Sequence, residues 1–127
     1  MKNNKGEIIG YNTIRELEGN CLVSEEWSGV NNSSGRSYNY YDPKTETWNQ
    51  LWVSNSGNIL KLEGKLEDRK MVLTGPEISG KKGTYRNQII WTPREDGTVI
   101  QEWIILSEGD KKKDIQFFGI YHRKEEQ

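Results

Sequence analysis

The stretch GRSYNYYDPKTETWNQLWV, residues 35–53, decides the fold because it has the pattern of two β-strands joined by one turn. The turn is Asp42-Pro43-Lys44-Thr45, in which the proline ring presets the φ angle of a type I turn. On both sides, aromatic and β-branched residues recur with the period of two that is typical of strands. With Asp42 opposite Thr47, the antiparallel register pairs Tyr41 with Trp48, Asn39 with Gln50 and Ser37 with Trp52 on one face. Large rings with amides and hydroxyls between them favour the lining of a ligand pocket.

The composition bounds the kind of protein. The 127 residues predict one domain, 1–127, of which only 32% is hydrophobic, with a mean hydropathy of −0.92. Five Trp, six Tyr and two Phe must therefore supply much of the buried surface. A net charge of −1 gives no field that favours nucleic acid or an anionic membrane, so we expect neither partner.

The cysteine count and the apolar runs indicate the compartment. Cys21 is the single cysteine, which excludes an internal disulfide, and we expect an inert, buried thiol. No apolar run reaches membrane-spanning length, and no apolar leader region follows residues 1–5. The sequence therefore predicts a cytoplasmic domain.

Strand patterns recur about every ten residues, and no amphipathic helix is indicated. Besides the two hairpin strands, we expect strands at 7–16, 21–28, 60–66, 71–73, 84–92, 99–105 and 114–123. Polar segments 29–35 and 75–83 are predicted to be mobile loops, the first at a pocket mouth. This series predicts an all-β, antiparallel up-and-down barrel of about nine strands, large enough to hold one small ligand.

Polar residues are expected on the same inward faces as most of the tryptophans. The polar candidates are Ser37, Asn39, Tyr41, Gln50 and Gln101, and the rings around them are Trp27, Trp48, Trp52, Trp91 and Trp103. One interpretation is a core whose polar atoms satisfy one another or buried water. The other is a pocket in which these groups bind a ligand. Both interpretations stay open on the sequence.

Glu25 is the candidate for acid–base chemistry. It lies between Val23 and Trp27 on an otherwise apolar face, where burial should raise the pKa of its carboxyl. Such a group is suited to general acid or base catalysis or to orienting a ligand. The alternative is an ion pair with Arg86 or Arg123, or a strand end in solvent. The lone histidine, His122, has no cluster of metal-binding residues around it, so we expect a surface position, no metal and no cofactor.

An ordered series of short motifs resembles a bacterial family of calycin-like (lipocalin-like) proteins that is catalogued as a domain of unknown function. The series runs through roughly residues 10–124 and comprises Glu25-x-Trp27, Gly35-x-Ser37-x-Asn39-x-Tyr41-Asp42, Trp48-x-Gln50-x-Trp52-Val53, Trp91-Thr92-Pro93, Asp96-Gly97-x-Val99-x-Gln101-x-Trp103, Ser107 and Gly119-x-Tyr121-x-Arg123. The resemblance implies a lipocalin-like barrel with a central cavity and supplies no established substrate.

The chain departs from that family's pattern in three places. No Trp-x-Gly-x-Trp strand precedes Ile8, residues 107–111 replace a Ser-x-Asp-Gly-Gly-x-x-Trp segment, and Phe118 stands where an Asp is usual. The first departure predicts that the barrel is incompletely closed. An open sheet edge at residues 7–16 or 114–123 would then need cover, which predicts a homodimer.

Three functions follow as expectations. The first is a binding module that holds a small, partly apolar ligand by ring stacking and amide hydrogen bonds. The second is an enzyme in which Glu25, together with Tyr41, transfers protons in the same cavity. The third is an interaction protein that pairs through its open edge.

Overall fold

A computed structural model describes residues 1–3 and 5–122, which form ten β-strands and no helix. The strands are β1 Gly10–Leu17, β2 Leu22–Gly29, β3 Ser34–Asp42, β4 Thr47–Ser54, β5 Ile59–Glu67, β6 Lys70–Thr74, β7 Ile78–Gly80, β8 Gly83–Pro93, β9 Val99–Ser107 and β10 Lys112–Tyr121. Nine of them pair in the order β1-β2-β3-β4-β5-β6-β8-β9-β10. All pairs are antiparallel, and the sheet curls strongly into an open half-barrel. The predicted all-β, incompletely closed barrel of about nine strands is confirmed.

The hairpin β3–β4 has the predicted register. Asp42 pairs with Thr47, Tyr41 with Trp48, Asn39 with Gln50 and Ser37 with Trp52. The Asp42 carboxylate accepts a hydrogen bond from the Lys44 backbone N–H at 2.9 Å, which fixes the start of the turn. The last turn residue, Glu46, has a positive φ of 56°, so the chain enters β4 from a left-handed position.

Four predicted features differ from the structure. The segment 75–83 is not simply a loop, because β7 lies within it and pairs with β8. The first strand is Gly10–Leu17 instead of 7–16, and the last is Lys112–Tyr121 instead of 114–123, whose end at residue 123 lies outside the described residues. The thiol of Cys21 is exposed instead of buried, because this residue belongs to the turn before β2.

A glycine allows the backbones of β5 and β6 to approach each other closely. Gly64 pairs with Trp48 on one side and with Leu73 on the other. A Cβ atom at this position would overlap the backbone carbonyl oxygen of Val72. The missing side chain therefore permits a close backbone approach that a side-chain-bearing strand does not allow.

The hydrophobic core occupies part of the concave face. Leu62, Leu73 and Ile89 form its buried cluster, since inward positions alternate along β5, β6 and β8. Partly buried side chains packed against this cluster are Trp48, Leu60, Met71, Trp91 and Trp103. Because the cluster is small, the aromatic rings provide much of the packing, as the composition predicted.

Among the described residues, the N-terminal segment bridges the seam between β1 and β10 near one end. Lys2 donates its backbone N–H to the Ile120 carbonyl at 2.8 Å and accepts the Ile120 N–H at 2.7 Å. In the part of the chain that the structure describes, β1 pairs only with β2 and β10 only with β9 apart from these bridges. Ile14 and Ile115, 61% and 60% exposed, lie on these two outer strands. The structure thus places unpaired edges on both, as the sequence predicted.

No stretch within 1–3 and 5–122 forms a helix that is long and apolar enough to cross a membrane.

Candidate functional site

A cavity of about 240 Å³ opens on the concave side of the sheet. Six of the eleven predicted site residues line it: Glu25, Trp27, Gln50, Trp52, Gln101 and Trp103. Phe117 and Tyr121 of β10 also contribute to its wall, and serines and asparagines form its mouth. The cavity thus combines aromatic walls with a few polar groups, as binding sites for small molecules do.

A larger cleft of about 810 Å³ adjoins this cavity and shares Asn58, Leu60 and Trp103 with it. Lys81, Lys82 and Lys112 lie around this cleft, which is more open to solvent. The smaller cavity is the better candidate, because it contains a buried carboxyl group and most of the inward-facing rings.

Glu25 lies in the middle of β2 and is only 5% exposed. Its Oε2 accepts a hydrogen bond from Asn12 Nδ2 at 2.6 Å, and its Oε1 accepts one from Ser37 Oγ at 3.1 Å. Burial raises the pKa of this carboxyl, although both hydrogen bonds act in the opposite direction. The predicted burial of Glu25 and its raised pKa therefore agree with the structure.

The ion-pair alternative for Glu25 is not supported. Arg86 pairs instead with Asp110, at 3.2 Å, and the other proposed partner, Arg123, lies outside the described residues. None of the ion pairs found within the described ranges involves Glu25. The carboxyl is therefore buried with neutral hydrogen-bond donors only.

Asn12 approaches Glu25 from β1, where the sequence suggested no role for it. Its Nδ2 donates to Glu25, whereas its Oδ1 is the one buried side-chain polar atom among the described residues that has no hydrogen-bond partner. Ser37, fully buried on β3, holds the carboxyl from the other side. Two neighbouring strands therefore fix the orientation of the carboxyl.

Asn39 supports Ser37 instead of lining the cavity. Its Nδ2 donates to Ser37 Oγ at 3.0 Å and to the Val23 carbonyl at 3.1 Å. Because Ser37 Oγ then donates to Glu25, the three polar side chains form one connected chain of hydrogen bonds. Asn39 and Ser37 are thus positioning groups behind the carboxyl.

Gln50 lines the cavity directly opposite Asn39 in the β3–β4 pair. Its side chain is 5% exposed, and its amide, which still reaches the cavity, has no hydrogen-bond partner among the described residues. An amide in such a position requires water or a ligand, because leaving it unpaired costs about 1–3 kcal/mol. Of the polar groups in the wall, Gln50 is therefore the one best placed to form a hydrogen bond with a ligand.

Gln101 and Tyr121 form a second polar pair in the wall. The Tyr121 hydroxyl donates to Gln101 Oε1 at 2.8 Å. Burial raises the pKa of Tyr121, and the nearby negative charge of Glu25 raises it further. The phenol therefore stays protonated at neutral pH and acts as a hydrogen-bond donor.

The rings of the wall are held by packing and by hydrogen bonds. Trp27 meets Phe117 edge to face, with ring centroids 6.3 Å apart. The Trp52 indole packs directly on Gly35, where a Cβ atom would lie 2.5 Å from the ring. Trp103 Nε1 donates to Asn87 Oδ1 at 3.0 Å, which satisfies its indole N–H inside the barrel. The apolar wall therefore has a defined shape.

Asn55 ties together the two loops at the mouth. Its backbone N–H donates to the Ser34 carbonyl at 2.8 Å, its Oδ1 accepts the Ser34 N–H, and its Nδ2 donates to the Asn32 carbonyl. The β2–β3 loop predicted at the mouth does contribute there, through Ser33. The sequence pattern does not indicate this role for Asn55, since its partners lie 21 and 23 residues away.

Five predicted site residues do not line this cavity: Ser37, Asn39, Tyr41, Trp48 and Trp91. Tyr41 and Trp48 pack on each other, with centroids 5.6 Å apart, and Tyr41 is 46% exposed. Trp91 stacks on Tyr121 at 5.6 Å and so contacts the wall from behind. The tyrosine that shares the cavity with Glu25 is Tyr121, so the pairing of Glu25 with Tyr41 is not what the structure shows.

Within 1–3 and 5–122, no three His, Cys, Asp or Glu side chains converge as ligands of a metal ion would. His122 is exposed.

The chain was also compared with known proteins. No family model, no curated protein and no solved structure matched it. The resemblance to calycin-like proteins stays a prediction from the sequence.

Proposed function

We propose that this protein binds a small, partly apolar molecule in the cavity of the half-barrel. The observation that carries the proposal is the placement of two nearly buried polar side chains, Glu25 and Gln50, in an aromatic wall. Gln50 has no hydrogen-bond partner among the described residues, and Glu25 has hydrogen bonds but no counter-charge among them, so both groups cost free energy in nearly buried positions. A ligand that satisfies them and stacks on the rings would compensate for that cost.

The dimensions of the cavity restrict the ligand. Its volume of about 240 Å³ equals that of about eight water molecules, at roughly 30 Å³ each. Pockets for drug-sized ligands usually measure about 300–1,000 Å³. The proposed ligand is therefore smaller than most drug-like compounds and has one flat apolar part and at least one polar group.

Replacing Gln50 by leucine is expected to reduce ligand binding more than stability. Leucine has a similar size, so the substitution removes the recognition group without opening a cavity. The measurement is the amount of small molecule retained per mole of purified protein by mass spectrometry, set beside the free energy of unfolding in urea. The matched control is Asn49→Leu, which changes the neighbouring amide on the other face of β4. Equal losses of binding and stability in Gln50→Leu would contradict the proposal.

The enzyme alternative keeps the same cavity and uses Glu25 for proton transfer. The raised pKa of Glu25 favours it, because a raised pKa makes a carboxyl a stronger base and lets it keep a proton that it can donate. The enzyme alternative would be established by catalytic turnover whose rate depends on pH, if Glu25→Gln removed that pH dependence. Saturable binding without turnover would establish the binding module instead.

We also propose that the protein self-associates through its open edges. The exposed side chains of Ile14 and Ile115 and the unpaired backbone of β1 and β10 favour pairing with a second copy of the chain. Sedimentation velocity at tens of micromolar should show a dimer, and Ile115→Lys should shift the equilibrium to monomer. Lys61→Arg, a change on the exposed part of β5, is the control. A monomer at all these concentrations would contradict this second proposal.

A further inference from the structure

The charge in the cavity is one-sided. Among the described residues that line it, Glu25 supplies a carboxyl group, and there is no lysine, arginine or histidine. The mouth is made of neutral serine and asparagine side chains, such as Ser34 and Asn55. A ligand that enters this cavity therefore meets one acidic group and no basic group.

Glu25 has hydrogen bonds but no counter-charge. The donors to its carboxyl, Asn12 Nδ2 and Ser37 Oγ, are neutral. Arg36, on the neighbouring strand β3, pairs with Glu26 on the outer face at 3.9 Å. A buried carboxylate without a cation is costly, and a cation brought by the ligand would remove that cost.

The aromatic wall has the chemistry that attracts a cation. The faces of indole, phenol and phenyl rings carry partial negative charge and bind ammonium groups within about 6 Å of the ring centroid. Trp27, Trp52, Phe117 and Tyr121 line the same cavity as Glu25. Several rings around one carboxyl are the composition of a site for organic ammonium ions.

We infer that the ligand is a small organic monocation, an amine whose ammonium group lies beside the Glu25 carboxylate among these rings. The inference rests on the proposed function, because it assigns a chemical class to the ligand of the same cavity. An anion would be repelled by Glu25. A neutral ligand would leave the carboxylate unpaired or require it to be protonated.

Isothermal titration calorimetry with matched pairs of probes tests the charge of the ligand. Choline is compared with its neutral isostere 3,3-dimethylbutan-1-ol, and benzylamine with benzyl alcohol, at pH 8. At least one cation should bind tenfold or more tightly than its neutral counterpart. Each pair has nearly the same shape, so the difference reports the charge.

Glu25→Gln should abolish that preference. Glutamine keeps the size of the side chain and its capacity to accept a hydrogen bond but removes the negative charge. Glu26→Gln is the control, because it removes the adjacent charge on the outer face, where Glu26 pairs with Arg36. Its affinities should equal those of the unchanged protein.

The pH dependence of choline binding gives a readout in the unchanged protein. Choline stays charged at every pH, so any titration belongs to the protein. Asn12 and Ile14 of β1 and Ser37 of β3 face Glu25 and do not ionise, and the Tyr121 phenol stays protonated. Choline affinity should therefore be constant above the raised pKa of Glu25 and fall as the pH is lowered through it.

The outcomes separate this inference from the proposed function. If cations and their neutral isosteres bound equally, or if the preference for cations persisted in Glu25→Gln, the inference of a cationic ligand would be wrong. The proposal that the protein binds a small molecule would still stand. If none of the four probes bound but a neutral molecule co-purified with the protein, the inference of a cationic ligand would again be wrong and the binding proposal would stand. Failure of all four probes with no co-purified molecule would overturn both.

Discussion

Replacing Trp52 by alanine is expected to lower the free energy of unfolding by about 3 kcal/mol, as measured by urea denaturation. Truncation of a large buried ring typically costs about 3–5 kcal/mol, and the lower end applies because this ring also faces the cavity. Trp52 contributes to two features at once, since its indole covers Gly35 and forms part of the cavity wall.

The control for this substitution is Val53→Ala, whose side chain is 44% exposed on the outer face. That change should cost less than about 1 kcal/mol. If Trp52→Ala itself cost less than about 1 kcal/mol and Leu51→Ala cost more, the assignment of the faces of β4 would be wrong.

Replacing Gly64 by alanine is expected to destabilise the protein by about 3 kcal/mol. The added Cβ would overlap the Val72 carbonyl oxygen and crowd the Cα atom of Leu73. Ordinary overpacking costs about 1–3 kcal/mol, and the upper value applies because backbone atoms cannot rotate away as a side chain does. The substitution should therefore force the β5 and β6 backbones apart at Gly64.

Glu63→Ala, an exposed substitution one residue earlier on β5, is the control. It should change the free energy of unfolding by no more than about 0.5 kcal/mol. Far-ultraviolet circular dichroism and urea unfolding would detect both effects. If Gly64→Ala left the free energy of unfolding unchanged, the close approach of β5 and β6 would not require this glycine.

The buried carboxyl makes the fold less stable at higher pH. The folded-state pKa of Glu25 is raised, so its contribution is most favourable below the pKa of the unfolded chain and is lost as the pH rises through the folded-state pKa. A bound cation reverses this loss because it stabilises the ionised form. The group that costs stability in the free protein is thus the one proposed to bind the ligand, as is common at functional sites.

The sequence by itself determined the hairpin and the faces of most strands. The Asp42-Pro43 turn and the alternation on either side fixed the pairing of Asn39 with Gln50. Register is readable here because a slip of one residue would move every ring to the opposite face. The burial of Glu25 followed from the same alternation.

The depth of each residue in the half-barrel was decided only by the tertiary structure. Trp48 and Trp52 share a face of β4, yet Trp48 packs on the core and Trp52 lines the cavity. A period of two identifies the face but not the position along the barrel, which depends on the curl of the sheet. For the same reason the sequence placed Tyr41 beside Glu25, although the structure places Tyr121 there.

The last strand shows why alternation alone missed part of the wall. The pairing of β10 with β9 shifts between Ile115 and Phe117, so one extra residue, Gln116, interrupts the period. Beyond this bulge Phe117 and Tyr121 share the face of Trp103 and reach the cavity. A bulge is fixed by pairing with the neighbouring strand and leaves no signal in the alternation of β10 itself. The sequence therefore determined the fold and the buried acid, and tertiary pairing decided which rings surround it.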